Sequence, residues 1–363
     1  MKKKGSLFIG SYSGIKVYIH WTFLILIGWI LMSHFQAGKD LGGALSGVAF
    51  ILLLFLCVVL HEFGHALTAK RFGIKTHDIS LYPIGGIASL EKLPEKPGQE
   101  LLVALAGPMV NMVIAIFLWI YLTSIGGFPG TEEVNSAEYW QNMPMVNKLF
   151  IANITLAVFN LIPAFPMDGG RVLRALLAFK MDRTKATRIA AGIGQGLAVL
   201  FVFLGFFYNF MLVFIGLFIY LGAGGEALQE TVKNAMSHFI VRDAMMTRFT
   251  PVAATDSLDS VSKLVLESQD KVFLVADQTQ IHGVLTSNEL IKGLSQFGTN
   301  ASVAQVMRQD YLTLTSSMPL QEAYEKLSLS PCQVAPVVDG QQLLGILDKE
   351  NIHELLMIRQ KLA

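Results

Sequence analysis

The residues best suited to chemistry form the run His61-Glu62-Phe63-Gly64-His65. On an α-helix, residues i and i+4 share a face, so the two imidazoles can bind one Zn²⁺ together. Glu62 lies beside that face, where its carboxylate can accept a proton from a metal-bound water. The motif therefore predicts a zinc site that activates water, with His61 and His65 as ligands and Glu62 as the acid/base.

The pattern H-E-x-x-H also occurs by chance, and the sequence around this motif helps to distinguish a metal site from a chance match. It directly follows an unbroken apolar run from Phe50 to Leu60. Ionisable side chains at membrane depth are costly and are retained for function. This setting favours a metal site over an idle cluster of polar side chains.

A third ligand is expected because two histidines leave a tetrahedral zinc one protein ligand short. The candidate is Asp168, which lies in the segment Asn160-Leu161-Ile162-Pro163-Ala164-Phe165-Pro166-Met167-Asp168-Gly169-Gly170-Arg171. Pro163 and Pro166 cannot continue a helix, so irregular backbone should turn inward here. The alternative is an interfacial turn with a solvated Asp168, and the histidine pair favours the ligand. We expect one zinc per chain.

Composition indicates that lipid solvates part of the chain, since 53% of its 363 residues are apolar and only 15% are charged, against about 25% charged in soluble domains. The net charge of +1 argues against a nucleic-acid partner. Apolar runs long enough to cross a bilayer predict six membrane helices, near 18–35, 45–69, 101–124, 147–165, 189–207 and 211–225.

The charges between these spans predict their orientation. Segments on one side contain fifteen Lys and Arg residues, whereas the alternate segments contain only Lys39 and Lys148. Positive charge collects on the cytoplasmic side. The chain is therefore expected to be a multi-pass protein of the cell membrane with both termini cytoplasmic.

From about residue 240 the sequence changes to ordinary soluble composition, in which short β-type runs alternate with helical patterns. Similar features recur after about 60 residues, as in Gly283-Val284-Leu285-Thr286 and Gly345-Ile346-Leu347-Asp348. Such a period indicates an internal repeat. The predicted organisation is a membrane domain over 1–225, a linker over 226–240, and a soluble α/β pair over 241–298 and 299–363.

The two chemical motifs, their order, and the intervening Gly107-Pro108-Met109-Val110-Asn111 resemble the site-2 protease family of intramembrane zinc proteases over residues 10–225. The resemblance implies that His61, His65 and Asp168 bind zinc and that Glu62 is the acid/base. It also implies that Asn160 polarises the scissile carbonyl or holds its oxyanion. Members cut membrane proteins, such as transcription-regulator precursors or anti-sigma factors. No domain is inserted between the second and third spans, which favours the sporulation-type branch over the PDZ-containing one.

The family also contains a membrane-associated β element before its third span. The segment 78–90 alternates weakly and contains two glycines, so a plain loop and an exposed strand edge are both possible. An edge could hold an extended substrate by β-addition.

The C-terminal repeat resembles a tandem CBS-domain pair, an adenosine-ligand sensor. Its first half ends in Gly283-Val284-Leu285-Thr286-Ser287-Asn288-Glu289, with Glu289 in place of the usual Asp. The resemblance implies that ATP or another adenine nucleotide binds at Thr286 and Glu289 and regulates activity. The second half departs from the pattern with Asp348 and Asn351. The pair could instead form a homodimer or dock the substrate.

These features favour an intramembrane zinc metalloprotease that hydrolyses peptide bonds within or next to the transmembrane segments of its substrates. The alternative, a CBS-gated ion or metal transporter, explains the spans and the repeat but needs neither Glu62 nor the turn at Asp168. An inactive protease that only binds membrane clients is disfavoured because all three ligands and Glu62 are present.

Overall fold

The computed structural model describes residues 5–36, 38, 40–83, 85–91, 94–128, 143–268, 272–277, 280–330, 332, 334–340 and 342–362. The chain divides into two compact units, Met1–Leu228 and Gln229–Ala363.

The first unit is mainly helical. Within its described residues, four helices are long and apolar enough to span a membrane and two apolar ones are shorter. The helices are α1 (Thr22–Gln36), α2 (Leu41–Arg71), α3 (Pro97–Ser124), α4 (Met145–Asn160), α5 (Asp168–Ala178), α6 (Arg183–Phe207) and α7 (Met211–Met236).

Each of the six predicted spans contains one apolar helix, and α1 and α4 are the two short ones. The predicted first span starts too early, because Tyr18 to His20 belong to a strand. Helix α7 runs on to Met236, through most of the segment predicted as a linker.

The helix surfaces show why these elements need lipid. Large apolar side chains such as Trp29, Phe117 and Phe206 are exposed on α1, α3 and α6. A soluble helix would place polar side chains there. Helix α2 starts where the Asp40 carboxylate accepts a hydrogen bond from the Gly43 amide at 2.9 Å.

A four-stranded sheet joins the helices of the first unit, in the order β1-β2-β3-β4. The central pair is parallel and the outer pairs are antiparallel. The strands are β1 (Ser6–Tyr12), β2 (Ile15–His20), β3 (Thr76–Tyr82) and β4 (Gly85–Leu90).

The segment 78–90 therefore forms strands, and β4 is an edge strand. The hairpin of β1 and β2 was not predicted. Its turn is at Ser13-Gly14, where both residues have positive φ.

The chain between α4 and α5 is irregular from Leu161 to Met167 and includes both prolines. The predicted fourth span therefore ends five residues too late, since α4 ends at Asn160. The chain packs too tightly here for side chains at the two glycines. A Cβ at Gly169 would collide with the Ile162 and Leu161 carbonyls, and one at Gly170 would lie 2.6 Å from the Phe165 nitrogen.

The second unit contains two similar halves, as the repeat predicted. Each half has a two-stranded antiparallel hairpin followed by a helix. The first half consists of α8 (Val241–Ala244), α9 (Leu258–Ser268), β5 (Val272–Ala276), β6 (Ile281–Thr286) and α10 (Ser287–Phe297). The second consists of a 3₁₀ turn (Val303–Gln305), α11 (Leu320–Leu329), β7 (Val334–Asp339), β8 (Gln342–Asp348) and α12 (Lys349–Leu362).

Both halves contain an isolated parallel β-bridge at the same place. It pairs Val252 with Val275 in the first half and Leu314 with Val337 in the second. One apolar cluster contains Leu274 and Val284 from the first half with Val334 and Ile346 from the second. The halves therefore share a core, and the predicted α/β pair is confirmed.

Candidate metal centre and catalytic residues

The three predicted zinc ligands come together inside the first unit. Helix α2 presents His61 and His65 one turn apart, and Asp168 is the first residue of α5. Their side chains are buried, with exposures of 7%, 5% and 7%. The two Nε2 atoms lie 3.1 Å apart, and Asp168 Oδ2 lies 3.2 Å from the Nε2 of His61 and 3.1 Å from that of His65.

The hydrogen bonds on the far side of each imidazole fix its tautomer. His65 Nδ1 lies 2.7 Å from the Val103 carbonyl oxygen, which can only accept, so Nδ1 holds the proton. His61 Nδ1 contacts the Asn111 side-chain oxygen. Asn111 donates from its Nδ2 to Asn153 Oδ1 at 2.9 Å, and Asn153 donates to the Leu149 carbonyl at 2.8 Å. This relay orients the Asn111 oxygen toward His61, so His61 Nδ1 is also protonated.

When the imidazoles are neutral, the Nε2 atom of each is an acceptor, and these two atoms face each other and a carboxylate oxygen. Three acceptors at 3.1 to 3.2 Å require either shared protons or a cation between them, and this donor set is one that zinc binds. A tetrahedral zinc with bonds of about 2.0–2.1 Å needs ligand atoms about 3.3 Å apart. The residues present fit zinc.

Helix α3 can approach the histidines because it has a glycine at the contact. A Cβ on Gly107 would lie 2.6 Å from His61 Nε2 and would also collide with His65 Nε2. The approach is close on α2 as well, since a Cβ on Gly64 would lie 2.6 Å from the Ala106 carbonyl oxygen. Gly107 leaves space beside the two Nε2 atoms, and Gly64 lets α2 and α3 approach closely.

Glu62 is half-buried on α2 and directly follows His61, a predicted ligand. Edge strand β4 passes beside it, so that a Cβ on Gly86 would lie 2.9 Å from Glu62 Cγ. Among the described residues, none forms a hydrogen bond with the Glu62 carboxylate. The carboxylate is thus available to exchange protons at the site.

Asn160 is the last residue of α4, and its Nδ2 donates to the Leu156 carbonyl at 2.9 Å within the same helix. Its proposed contact with the substrate stays a prediction.

The sequence analysis assigned no role to Val103 or Asn153, and it used Gly107 and Asn111 only for the family resemblance. A signal for them was present. Positions 103, 107 and 111 are four apart, so they share one face of α3. Asn153 is a polar residue within an apolar helix, which indicates a functional or orienting role.

In the second unit, Thr286 and Glu289 lie at the start of α10 and bond to each other. The Thr286 hydroxyl contacts the Glu289 carboxylate, and the Thr286 amide donates to it at 3.3 Å. Arg308 also contacts Glu289 at 3.2 Å. Asp348 and Asn351 make the same reciprocal contacts in the second half, at 3.2 and 2.7 Å. The predicted nucleotide residues thus cap helices, and their binding role stays a prediction.

Comparison with known proteins covers both units. The model of Peptidase family M50 matches residues 49–148 and 124–204, which include His61, His65 and Asp168. A zinc metalloprotease of Methanocaldococcus jannaschii is 29% identical over 350 residues, covering 95% of this chain and 94% of that protein. Over the residues that the family model matches, the chain is similar to peptidase family M50. The CBS domain model matches residues 303–358 of the chain.

Two further proteins are similar to parts of this chain. The solved structure of a site-2 protease from Methanocaldococcus jannaschii is 37% identical, covers 61% of this chain and 95% of that chain, and has a TM-score of 0.45. Stage IV sporulation protein FB of Bacillus subtilis is 25% identical over 177 residues, covering 48% of this chain and 52% of that protein.

The predicted activity is confirmed by these matches: the chain is an intramembrane zinc metalloprotease with CBS domains. It is a membrane protein that acts on membrane-bound proteins. None of these matches supports the alternative of a CBS-gated transporter.

Proposed function

We propose that His61, His65 and Asp168 hold the catalytic zinc and that Glu62 is the acid/base of peptide hydrolysis. The observation behind this proposal is the convergence of three acceptor atoms within 3.2 Å while both Nδ1 atoms are engaged elsewhere. Zinc bound there would polarise a water and the scissile carbonyl.

The side chains of the site then have separate tasks. Glu62 takes a proton from the attacking water and returns it to the leaving nitrogen. Asn160 donates an amide hydrogen to the developing oxyanion, since its Nδ2 has two hydrogens and the Leu156 carbonyl accepts only one of them. Asn111 and the Val103 carbonyl keep the imidazoles in the tautomer that leaves Nε2 free for the metal.

The substrate enters as an extended segment along β4. Peptidases need an unfolded backbone at the reacting bond, and β4 is an edge strand beside Glu62. A substrate strand added to this edge would bond through its main chain and pass close to the carboxylate. Transcription-regulator precursors and anti-sigma factors with a membrane segment are the substrates we propose.

The topology we propose places six spans in the cell membrane, with both termini and the CBS pair in the cytoplasm. The positive-inside asymmetry supports this orientation.

We further propose that an adenine nucleotide at Thr286 and Glu289 regulates cleavage and that the CBS pair can form a homodimer. We also propose that the protein belongs to the sporulation-type branch, as its match to sporulation protein FB suggests.

The decisive experiment separates metal binding from chemistry. Glu62→Gln should retain zinc and capture substrate but lower cleavage by about 10²–10⁴-fold, because it removes the proton acceptor and no ligand. Membrane proteins that accumulate full-length in cells with this variant identify the substrate. Glu91→Gln, which changes an exposed carboxylate just after β4, is the matched control and should cleave normally.

His61→Ala completes the set, since it should lose zinc as well as activity. Cleavage by Glu62→Gln at the rate of the control would exclude Glu62 as the base. Equal zinc content in His61→Ala and wild type would exclude the metal site.

A further inference from the structure

Four charged side chains meet in the interior of the first unit, apart from the metal ligands. Arg174 is completely buried and Glu100 is 2% exposed. Arg174 donates to Glu100 Oε1 from Nε at 2.8 Å and from Nη2 at 2.5 Å, and to Glu226 from Nη1 at 2.6 Å. Arg183 donates to the other Glu100 oxygen at 2.7 Å. We call these four residues the charge cluster.

The charge cluster connects four helices. Arg174 belongs to α5, Glu100 to α3, Arg183 to α6 and Glu226 to α7. Helix α5 begins with Asp168, so Arg174 is less than two turns away from a proposed zinc ligand along the same short helix.

Glu100 belongs to the helix that fixes the two histidines. On α3, positions 100, 103, 107 and 111 follow the spacing of a single helix face. Three of them contact the imidazoles through the Val103 carbonyl, the Gly107 backbone and the Asn111 side chain. The fourth, Glu100, bonds to Arg174. Helix α3 therefore sets the position of the histidine pair and, through Arg174, the position of Asp168.

Helix α7 holds the segment before Asp168 from another side. A Cβ on Gly222 would lie 2.6 Å from Pro166 Cδ, and Ala223 packs in one cluster with Phe165. The Arg174 guanidinium lies 5.0 Å above the Phe165 ring. Both ends of the segment that contains Asp168 are thus tied to the charge cluster.

A contribution to folding stability does not by itself explain why the charge cluster is buried. Buried ion pairs often contribute no more stability than apolar residues of the same volume, because desolvation offsets their attraction. They do fix geometry, since a guanidinium with five donors binds two carboxylates in only a narrow range of positions. Within its own helix, Asp168 pairs only distantly with Arg171, at 3.9 Å.

We propose that Arg174, with Glu100 and Glu226, is a positioning residue that holds Asp168 at the distance from His61 and His65 that zinc requires. The proposal rests on the zinc site proposed above.

The test is a double-mutant cycle on zinc affinity with the full-length protein in detergent, titrated with Zn²⁺ against a fluorescent chelator. The perturbation is the paired change Arg174→Met with Glu226→Gln. Arg183 still pairs with Glu100 in this variant, so no unpaired charged side chain is left buried. We therefore expect the fold to be retained. Thermal unfolding of the zinc-free protein checks this. Arg188→Met, an exposed arginine of α6, is the control.

The paired change should weaken zinc binding by about 10–100-fold, the range for residues that orient metal ligands. In an Asp168→Ala background it should change the affinity by less than about threefold, because effects that act through one group are not additive. Equal losses in both backgrounds would show a general structural role and overturn the proposal. An unchanged affinity in the wild-type background would overturn it too. The zinc site itself is checked separately, since Asp168→Ala alone must weaken binding.

Discussion

The substitution Gly107→Ala adds a single methyl group where α3 meets the two imidazoles. The new Cβ would lie 2.5 Å from His65 Cε1 and 2.6 Å from His61 Nε2, whereas ordinary contact begins at 3.4 Å. The Cβ would also collide with His65 Nε2. The rings or the helix must therefore shift by at least about 0.9 Å, more than the roughly 0.5 Å that a functional site tolerates. The methyl group also occupies the space toward which both Nε2 lone pairs point.

We expect this displacement to weaken zinc binding by at least about 100-fold, which corresponds to about 2.7 kcal/mol. The same substitution in a helix interior ordinarily stabilises the helix by about 0.5–1 kcal/mol. Loss of zinc without loss of helix content is thus the signature of a steric effect at the metal centre. Metal analysis of the purified protein and chelator competition measure the first quantity, and circular dichroism measures the second.

Gly192→Ala is the matched control, because a Cβ at this helical position of α6 meets nothing within 4 Å. It should bind zinc like the wild type. If Gly107→Ala also bound zinc with wild-type affinity, the metal could not lie between His61 and His65, and the geometric argument would be refuted.

Three further predictions concern neighbouring groups. Asn111→Ala should weaken zinc binding by about 10–100-fold, because His61 loses the partner that fixes its tautomer; Asn147→Ala, which removes an asparagine bonded to the Gly127 carbonyl, should leave zinc affinity unchanged. Asn160→Ala should lower turnover by about 10²–10³-fold at constant zinc content, and loss of zinc together with activity would show a structural role instead. Calorimetry of the full-length protein with ATP, ADP and AMP should detect binding that Thr286→Ala weakens; an absence of heat at millimolar nucleotide would leave the CBS pair as a docking or dimerisation element.

The three residues of the proposed metal site could be selected from the sequence because their chemistry is local or restrictive. His61 and His65 are a helix turn apart, so their spacing alone places both imidazoles on one face. Asp168 is more than a hundred residues away. The prolines before it stop the helix, and the apolar spans contain few other acidic residues at membrane depth. The structure places its Oδ2 3.1 Å from His65 Nε2.

The elements predicted least well are those whose pattern is not periodic. In β1 the large side chains Leu7, Phe8 and Ile9 follow one another and all are exposed, so the strand shows none of the alternation that identifies a half-buried strand. The short helix α5 begins with Asp168-Gly169-Gly170, residues that favour turns when considered alone. Its helical state depends on the surrounding backbone, which excludes a Cβ at both glycines.

The sequence by itself determined which residues can bind the metal and that they lie in apolar, membrane-type helices, because residue chemistry and helical spacing are local properties. Only the tertiary structure decided which groups orient those ligands. Asn111 and Asn153 form a relay across three helices, and Arg174 joins α5 to α3 and α7. Such contacts depend on how helices distant in sequence pack. The spacing of positions 103, 107 and 111 indicates a shared face of α3 but not the partners that this face contacts.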